Sequence, residues 1–367
     1  MVKFIKNKSL NKKLRAPRVI KLATDFSGMD ASSTAMDRIF NDDPNKFVLM
    51  MASDILPEAH KLQAAKPGHQ PKHSFNDVSE RTNEEEPDSD IYVWTPPCQS
   101  FSAAGKGDGV QDPRGKLMAY GVRYVASRRP RCAIMENVKR LMSKRFRPIV
   151  KGLTKSLRTL GYNVYWKVLQ ANDFQVPQKR DRAVMVAIRE DSEFRKFKWP
   201  DPVPDEFKVT LSDILDRKST SDLAGRLPPK KKQKEFVKNA CKKVYEEGIN
   251  PINVPVAIDI DCSSKFQTYG VDIARTLTRT RGSQGGPWIS SRGRRTTISE
   301  MIRIQGFKTS EIPWEKAGIT ERKCAMMLGN AVPVNLIGHV LANAMWSAGL
   351  VSKKVYFPLV KVADAAK

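Results

Sequence analysis

Cys98 follows a predicted strand, at a point where the backbone could hold a nucleophilic side chain in a fixed direction. Residues 96–99 read Pro-Pro-Cys-Gln and follow the apolar run 90–95, which predicts a short buried strand. The two prolines restrict the backbone, so the Cys98 side chain leaves the strand end in one direction. A thiolate is a strong nucleophile at neutral pH, and the small, glycine-rich segment 100–109 could close on a ligand. These residues indicate covalent catalysis, and a packed structural cysteine is an equal alternative at this point.

Polar residues also end the other strands predicted in the first half of the chain. Alone, each has a structural explanation, since an aspartate after a strand often caps the next helix. Their repetition matters because the carboxyl ends of parallel strands meet at one edge of a sheet, where ligands bind. The polar groups are Asp25-Phe26-Ser27-Gly28, Asp54, Asp77, Glu136-Asn137-Val138, Gln178-Lys179-Arg180-Asp181-Arg182 and Gly329-Asn330.

In their order and spacing these motifs resemble the cytosine-C5 DNA methyltransferase family. The resemblance rests on a Pro-Cys-Gln loop at 97–99, Glu-Asn-Val at 136–138, Gln-x-Arg-x-Arg at 178–182 and Gly-Asn-x-Val at 329–332. It covers nearly the whole chain except residues from about 195 to 270. The resemblance implies transfer of a methyl group from S-adenosylmethionine to C5 of a cytosine in DNA.

The resemblance also implies the catalytic roles. Cys98 would add to C6 of the cytosine, and Glu136, with a raised pKa in a water-poor pocket, would protonate N3. Arg182 would bond the base O2, and Arg180 would support the thiolate or a phosphate. Asn137 would hold the glutamate or an adjoining loop. Because a base inside a duplex cannot enter this pocket, the cytosine must be flipped out.

For the cofactor, the resemblance implies a pocket built from several strand ends. Asp54 would accept bonds from the ribose hydroxyls, and Ile55 would pack on the adenine. The first motif departs from the family's usual Asp-Leu-Phe-x-Gly-x-Gly-Gly, because residues 24–31 read Thr-Asp-Phe-Ser-Gly-Met-Asp-Ala and an acid, Asp30, replaces a glycine. The remaining expected cofactor contacts are Phe26, Gly28, Asp77, Pro97, Asn330 and Val332.

Strands and helices alternate through the first half of the chain, which predicts an α/β fold with a doubly wound, mostly parallel sheet. The family resemblance implies that this sheet belongs to a Rossmann-like methyltransferase domain. We expect a catalytic domain over 1–195 and a smaller, irregular, β-rich target recognition domain over 196–318. Residues 319–367 would return to the catalytic domain. The expected DNA contacts are Gln99, Thr276, Arg279, Arg281 and Arg292, and for any single one of these arginines a solvated basic loop is an equal alternative.

The net charge of +25 and the pI near 9.9 indicate a polyanionic partner, and we expect double-stranded DNA. The five cysteines form no C-x-x-C pair, which favours a reducing compartment and argues against a metal site. No apolar run is long enough to span a bilayer, and the Lys-rich N-terminus has no secretory pattern. We therefore expect a protein inside the cell, cytoplasmic or, in a eukaryote, nuclear. We also expect a monomer.

Other functions fit the sequence less well. A tRNA methyltransferase of the same fold would carry a Cys-Phe-Thr element, which this sequence lacks. A non-catalytic nucleic-acid-binding relative would be expected to lose residues such as Cys98, Glu136, Arg180 and Arg182, all of which are present. An NAD-dependent oxidoreductase is disfavoured because no G-x-G-x-x-G follows the first strand.

Overall fold

The computed structural model describes residues 19–66, 68, 70–97, 117–263 and 267–360. Apolar runs in the first half form strands, and amphipathic stretches between them form helices. The strands are β1 (Ile20–Asp25), β2 (Phe47–Ser53), β3 (His73–Phe75), β4 (Ile91–Trp94), β5 (Cys132–Val138), β6 (Tyr162–Gln170), β7 (Gln178–Lys179) and β8 (Asp181–Arg189).

Within the described residues, the large sheet has the order β3-β2-β1-β4-β5-β8-β6. The pairs from β3 to β5 are parallel, whereas β8 runs antiparallel to both β5 and β6. The predicted doubly wound, mostly parallel sheet is confirmed. Because β8 is reversed, its first residues lie at the same edge as the carboxyl ends of the parallel strands, and Arg182 pairs with Val138 in the ladder.

Helices cover both faces of this sheet. They include α1 (Ala31–Phe40), α2 (Pro57–Ala65), α3 (Met118–Arg128) and α4 (Arg147–Thr159). Side chains alternate along each strand, so Leu22 of β1 joins the core that contains α1, and Ala23 joins the core that contains α3 and α4. The two cores therefore lie on opposite faces of the sheet, as a doubly wound fold requires.

The residues after Trp199 form a smaller unit. Its elements are α5 (Leu211–Ile214), α6 (Lys231–Glu246), β9 (Val256–Ile258), β10 (Tyr269–Val271), β11 (Ala274–Arg275), α7 (Arg279–Ser283), β12 (Trp288–Ile289) and β13 (Arg294–Arg295). Four of these strands form a separate antiparallel sheet in the order β10-β9-β12-β13. Val256 and Trp288 of this sheet pack against Val244 of α6 in a separate core.

The chain then returns to the large sheet through α8 (Ile298–Ile304), α9 (Glu321–Asn330) and α10 (Val334–Ser347). Met301 and Phe307 already belong to the large core, although they precede the expected boundary at residue 319. The division into 1–195, 196–318 and 319–367 stays a prediction, and this packing favours an earlier return.

In the part of the chain that the model describes, no single helix is long and apolar enough to cross a bilayer, and only the bent pair α9 and α10 passes that test by length and composition.

Candidate active site

The turn after β1 has a left-handed backbone at Phe26, Gly28 and Asp30, with φ of 57°, 54° and 53°. This conformation is uncommon for a bulky residue such as Phe26. The Gly28 N–H donates to Asp54 Oδ2 at 2.7 Å, and the Leu56 N–H donates to Asp54 Oδ1 at 2.9 Å. Asp54 thus joins the turns that follow β1 and β2, and burial raises the pKa of its carboxyl.

Asp30 takes the left-handed position that a glycine occupies in the usual family motif. Aspartate tolerates this conformation, and here its carboxylate caps α1 by accepting the Ser33 N–H at 3.3 Å. The buried Lys66 ammonium donates to the Met29 carbonyl at 3.0 Å and to Thr34 Oγ1 at 3.1 Å. Burial lowers the Lys66 pKa, and the nearby Asp30 carboxylate opposes that shift. The glycine-poor turn is therefore supported from beneath by an acid and a lysine.

Asp25, at the position of the usual leucine, lies in a buried ionic network. Its carboxylate accepts two bonds from Arg81, at 2.5 and 2.6 Å, and one from the Tyr92 hydroxyl at 2.5 Å. Arg81 Nε also donates to Glu86 at 2.7 Å, and Arg123 donates to the same Glu86 oxygen at 3.1 Å. Buried charges are stable only when paired in this way. The network fixes the segment between β3 and β4, which carries Asp77, against the end of β1.

The other expected cofactor residues differ in exposure. Ile55 is 71% exposed directly after Asp54, which is unusual for a large apolar side chain. Asp77 Oδ1 accepts from the Ser79 N–H at 2.8 Å and from its hydroxyl at 2.7 Å. Pro97 is half-buried, Asn330 is exposed at the end of α9, and Val332 is buried two residues later. Their roles toward a cofactor stay predictions.

Glu136 and Arg182 form a buried ion pair at the carboxyl end of β5. Arg182 Nε lies 2.7 Å from Glu136 Oε1, and both residues are less than a tenth exposed. Burial raises the pKa of Glu136, and the guanidinium groups of Arg182 and Arg180 oppose this rise. Arg182 also donates to the Asp181 carbonyl at 2.7 Å, which fixes its orientation. An acid with a raised pKa and a guanidinium thus lie side by side.

The backbone just before Cys98 is fixed by hydrogen bonds. Asn137 Nδ2 donates to the Pro96 carbonyl at 3.1 Å, so Asn137 holds the adjoining loop rather than the glutamate. The Thr95 N–H donates to the Asp25 carbonyl at 3.1 Å, and its hydroxyl donates to the Phe26 carbonyl at 2.9 Å. Cys98 and Gln99 lie outside the described residues. The described residues that precede them, Thr95 and Pro96, contact the turn after β1 and Asn137.

Arg180 is buried between three segments of the chain. Its guanidinium donates to the carbonyls of Leu277 at 2.6 Å, Ala331 at 2.8 Å and Gly329 at 3.3 Å. Gln178 adds two bonds, since its Oε1 accepts the Leu277 N–H at 2.8 Å and its Nε2 donates to the carbonyl of residue 304 at 3.0 Å. The expected support of a thiolate or phosphate stays a prediction. The observed contacts show that Arg180, together with Gln178, joins the smaller unit to the catalytic edge.

Two of the expected DNA contacts lie on the segment that Arg180 holds. The Thr276 hydroxyl donates to the Lys179 carbonyl at 2.7 Å, and Arg279 is exposed at the start of α7. The glycines of this region predict loops, but Gly282 lies in the short helix α7. A Cβ there would lie 2.0 Å from the Ala325 carbonyl oxygen, so glycine allows close packing of α7 on α9.

The arginines between residues 281 and 295 form ion pairs with carboxylates inside the fold. Arg281 Nε donates to Asp259 at 2.7 Å. Arg292, with a side chain only 12% exposed, lies 3.6 Å from Asp222. Arg294 and Arg295 are likewise paired, with Asp222, Glu300 and Asp261. The expected contacts of Arg281 and Arg292 with DNA stay predictions, which this pairing disfavours because both arginines would have to leave their carboxylates.

Three residues that support the site, Arg81, Lys66 and Gln178, had no role predicted from the sequence. Of these, only Gln178 belongs to a recognisable motif, Gln-x-Arg-x-Arg, that could have indicated a role. Among the residues that the model describes, no group of three or more His, Cys, Asp or Glu side chains is arranged to hold a metal ion.

The fold and the site define a doubly wound α/β protein with buried acid and guanidinium groups at the carboxyl edge of its sheet. Residues 21–346 match the family model of C-5 cytosine-specific DNA methylases. The chain therefore belongs to the C-5 cytosine-specific DNA methylase family, and the resemblance seen in the sequence is confirmed.

Two curated relatives cover most of the chain. The type II methyltransferase M.FnuDI of Fusobacterium nucleatum is 38% identical over 294 residues, which are 75% of this chain and 81% of the relative. The type II methyltransferase M.HaeII of Haemophilus aegyptius is 29% identical over 301 residues, or 77% of this chain and 82% of the relative.

Solved structures share the fold at low identity. The S. pombe Dnmt2 methyltransferase superposes with a TM-score of 0.60 at 18% identity, covering 89% of this chain and 98% of that one. The Entamoeba histolytica methyltransferase EhMeth gives a TM-score of 0.63 at 16% identity, covering 90% and 98%. These likenesses support the architecture, a large sheet followed by a smaller antiparallel unit.

Proposed function

We propose that this family member is a DNA (cytosine-5)-methyltransferase of the restriction-modification or viral type, acting as a monomer inside the cell on double-stranded DNA. The observation that carries the proposal is the buried Glu136–Arg182 pair beside the backbone that leads to Cys98. A nucleophile, an acid with a raised pKa and a guanidinium are the three groups that activation of a cytosine needs.

In the proposed reaction the Cys98 thiolate adds to C6 of a flipped cytosine, forming an S–C6 bond. Glu136 gives its proton to N3 as electron density moves toward C5, and Arg182 binds O2. S-adenosylmethionine, when bound, supplies the methyl group that C5 takes. A solvent base then takes the C5 proton, the C5–C6 double bond re-forms as the S–C6 bond breaks and restores the thiolate, and N3 returns its proton to the Glu136 carboxylate.

The environment of Glu136 suits this role. A carboxyl can protonate N3 only in its neutral form, which burial favours. After the proton has moved, the resulting carboxylate faces Arg182 at 2.7 Å and is stabilised by that charge. The surroundings of Glu136 therefore favour the neutral acid before proton transfer and stabilise the carboxylate after it.

The residues at the ends of β1 and β2 fit S-adenosylmethionine. Each Asp54 carboxylate oxygen accepts one backbone N–H and keeps a lone pair that could accept from a ribose hydroxyl. The exposed Ile55 offers an apolar face for the adenine. We also assign cofactor contacts to Phe26, Gly28, Asp77, Pro97, Asn330 and Val332.

Recognition of DNA is assigned to the segment that Arg180 joins to the site. Among the described residues, Thr276 and the exposed Arg279 are the strongest candidates for phosphate contacts. We also assign a DNA contact to Gln99, which follows Cys98 in the sequence. Arg281 and Arg292 are weaker candidates because carboxylates already neutralise them.

Replacing Ile55 by serine separates cofactor binding from folding. Because the side chain is 71% exposed, the free energy of unfolding should change by no more than about 0.5 kcal/mol. The Kd for S-adenosylmethionine, measured by calorimetry, should rise roughly tenfold, since serine removes apolar burial worth about 1.4 kcal/mol. The matched Ile252→Ser variant, at a residue 47% exposed in the smaller unit, should bind normally. Equal affinities in both variants would contradict the role of Ile55.

A covalent complex tests the proposed function. Duplex DNA containing 5-fluorocytosine cannot release a proton from C5, so with S-adenosylmethionine the wild-type protein should remain attached through denaturing electrophoresis. Cys98→Ser should give no such complex, whereas Cys241→Ser, at a half-buried cysteine in α6, should still form it. Methyl transfer to tRNA but not to DNA would contradict the proposed substrate, and transfer to neither would favour a non-catalytic relative.

Replacing Glu136 by glutamine tests the acid. The wild-type rate of methyl transfer should fall as pH rises through the raised pKa of Glu136, because the neutral form is the donor. Glutamine neither donates a proton to N3 nor titrates, so Glu136→Gln should lose this pH dependence and about 10²–10⁴-fold in rate. Cofactor affinity should change little. An equal loss of rate and of cofactor affinity would contradict the proposed role.

A further inference from the structure

We propose that a basic strip along α4 binds the phosphate backbone of duplex DNA beyond the target base. The strip consists of Lys144, Arg145, Arg147, Lys151, Lys155 and Arg158. This inference rests on the proposed function in assuming a DNA substrate, and it adds a second contact surface away from the smaller unit.

The strip lies in a stretch of chain that has no acidic residue. Residues 139–158 contain eight Lys or Arg and no Asp or Glu. All six members of the strip are exposed. Arg147, Lys151, Lys155 and Arg158 follow one another at helical spacings of four, four and three, so they form one row on α4, while Leu153 and Leu157 face the core.

None of the six strip residues forms an ion pair with a described carboxylate. The contrast with the smaller unit is clear, because there Asp222, Asp259 and Asp261 neutralise the arginines between 281 and 295. This chain thus pairs its structural arginines with acids and leaves the cations of the strip available to a ligand.

The positions of these cations do not stabilise the helix α4. Cations at the N-terminus of a helix oppose its dipole, and the first turn of α4 contains no acid. Like charges four residues apart, as in Arg147 and Lys151 or Lys151 and Lys155, also repel one another. Helix stability therefore does not explain the row, and a polyanion would remove the repulsion.

The chain enters the strip from the catalytic edge of the sheet. Glu136 and Val138 end β5, and Lys139 directly after them lies 3.0 Å from Asp181, the neighbour of Arg182. From there α4 runs back for 13 residues, or about 20 Å, on the face opposite α1. At 3.4 Å per base pair this length matches roughly 6 base pairs.

A shallow groove of about 520 Å³ accompanies the row. Three cations and two hydroxyls line it together with one apolar residue: Val150, Lys151, Thr154, Lys155, Arg158 and Thr159. Lysine, arginine and threonine side chains are common ligands of phosphate oxygens and carry no information about base sequence. The surface is therefore suited to backbone contact rather than to recognition of a site.

The test compares two variants that each remove three positive charges. The strip variant carries Lys151→Gln, Lys155→Gln and Arg158→Gln, and the control carries Lys61→Gln, Lys72→Gln and Lys316→Gln at exposed positions elsewhere. Binding to a fluorescent duplex is measured against salt concentration. Removal of one phosphate contact lowers the slope of log K against log salt by about 0.9, and affinity at 0.1 M salt by roughly eightfold.

We expect the lower slope in the strip variant only, with unchanged thermal unfolding and an unchanged maximal rate of methyl transfer. Equal slopes in the two variants would overturn the proposal. Hydroxyl-radical footprinting at a site located by bisulfite sequencing adds a second measurement. Wild-type protection should extend on one side by about the length of α4 and shrink there in the strip variant, and identical footprints would contradict the strip. A slope difference without any methyl transfer would support the strip and contradict the proposed function.

Discussion

The site depends on one buried guanidinium. Arg180 donates to the carbonyls of Leu277, Gly329 and Ala331, which belong to parts of the chain that no local preference would bring together with β7 and β8. The Nη1 and Nη2 atoms of this buried group donate to the three carbonyls, and these bonds offset part of the cost of removing the guanidinium from water. Its position two residues before Arg182 ties the packing of the smaller unit to the residue that contacts Glu136. The short segment 180–182 therefore contains both the arginine that contacts the smaller unit and the arginine that pairs with Glu136.

The turn after β1 shows how this chain keeps a family fold while departing from the family motif. Glycines allow a left-handed backbone without cost, and here Asp30 takes such a position and caps the next helix. The buried Lys66 and the Asp25–Arg81 pair then compensate for charges that an apolar motif would not contain. Both acidic residues that depart from the family motif, Asp25 and Asp30, therefore lie near a buried cation of the same fold.

The sequence predicted the parallel sheet because strand and helix alternate. It also predicted that Glu136 and Arg182 lie together at one edge of the sheet, because both stand in motifs at strand ends, and the structure shows them paired; their catalytic roles stay predictions. It did not predict that Arg81 would be buried, since its partner Asp25 lies 56 residues away and a polar loop gives no sign of burial. For the same reason the pairing of Arg292 was missed. Charge pairing across the fold is a tertiary property, whereas periodicity is local.

The most direct test of Arg180 is amide hydrogen exchange in Arg180→Lys. Lysine keeps the charge but lacks the planar fork that reaches several carbonyls at once. The amide N–H groups of Leu277 and Ala331 are bonded to Gln178 Oε1 and to the Met327 carbonyl, and these bonds should open more often once Arg180 no longer holds the carbonyls of the same two residues. We therefore predict faster exchange at Leu277 and Ala331, with unchanged exchange in β1 and β5 and a lower rate of methyl transfer. Arg295→Lys, which alters bonds only within the smaller unit, should leave both amides protected. Unchanged exchange at Leu277 and Ala331 in Arg180→Lys would contradict the claim that this side chain joins the segments of the site.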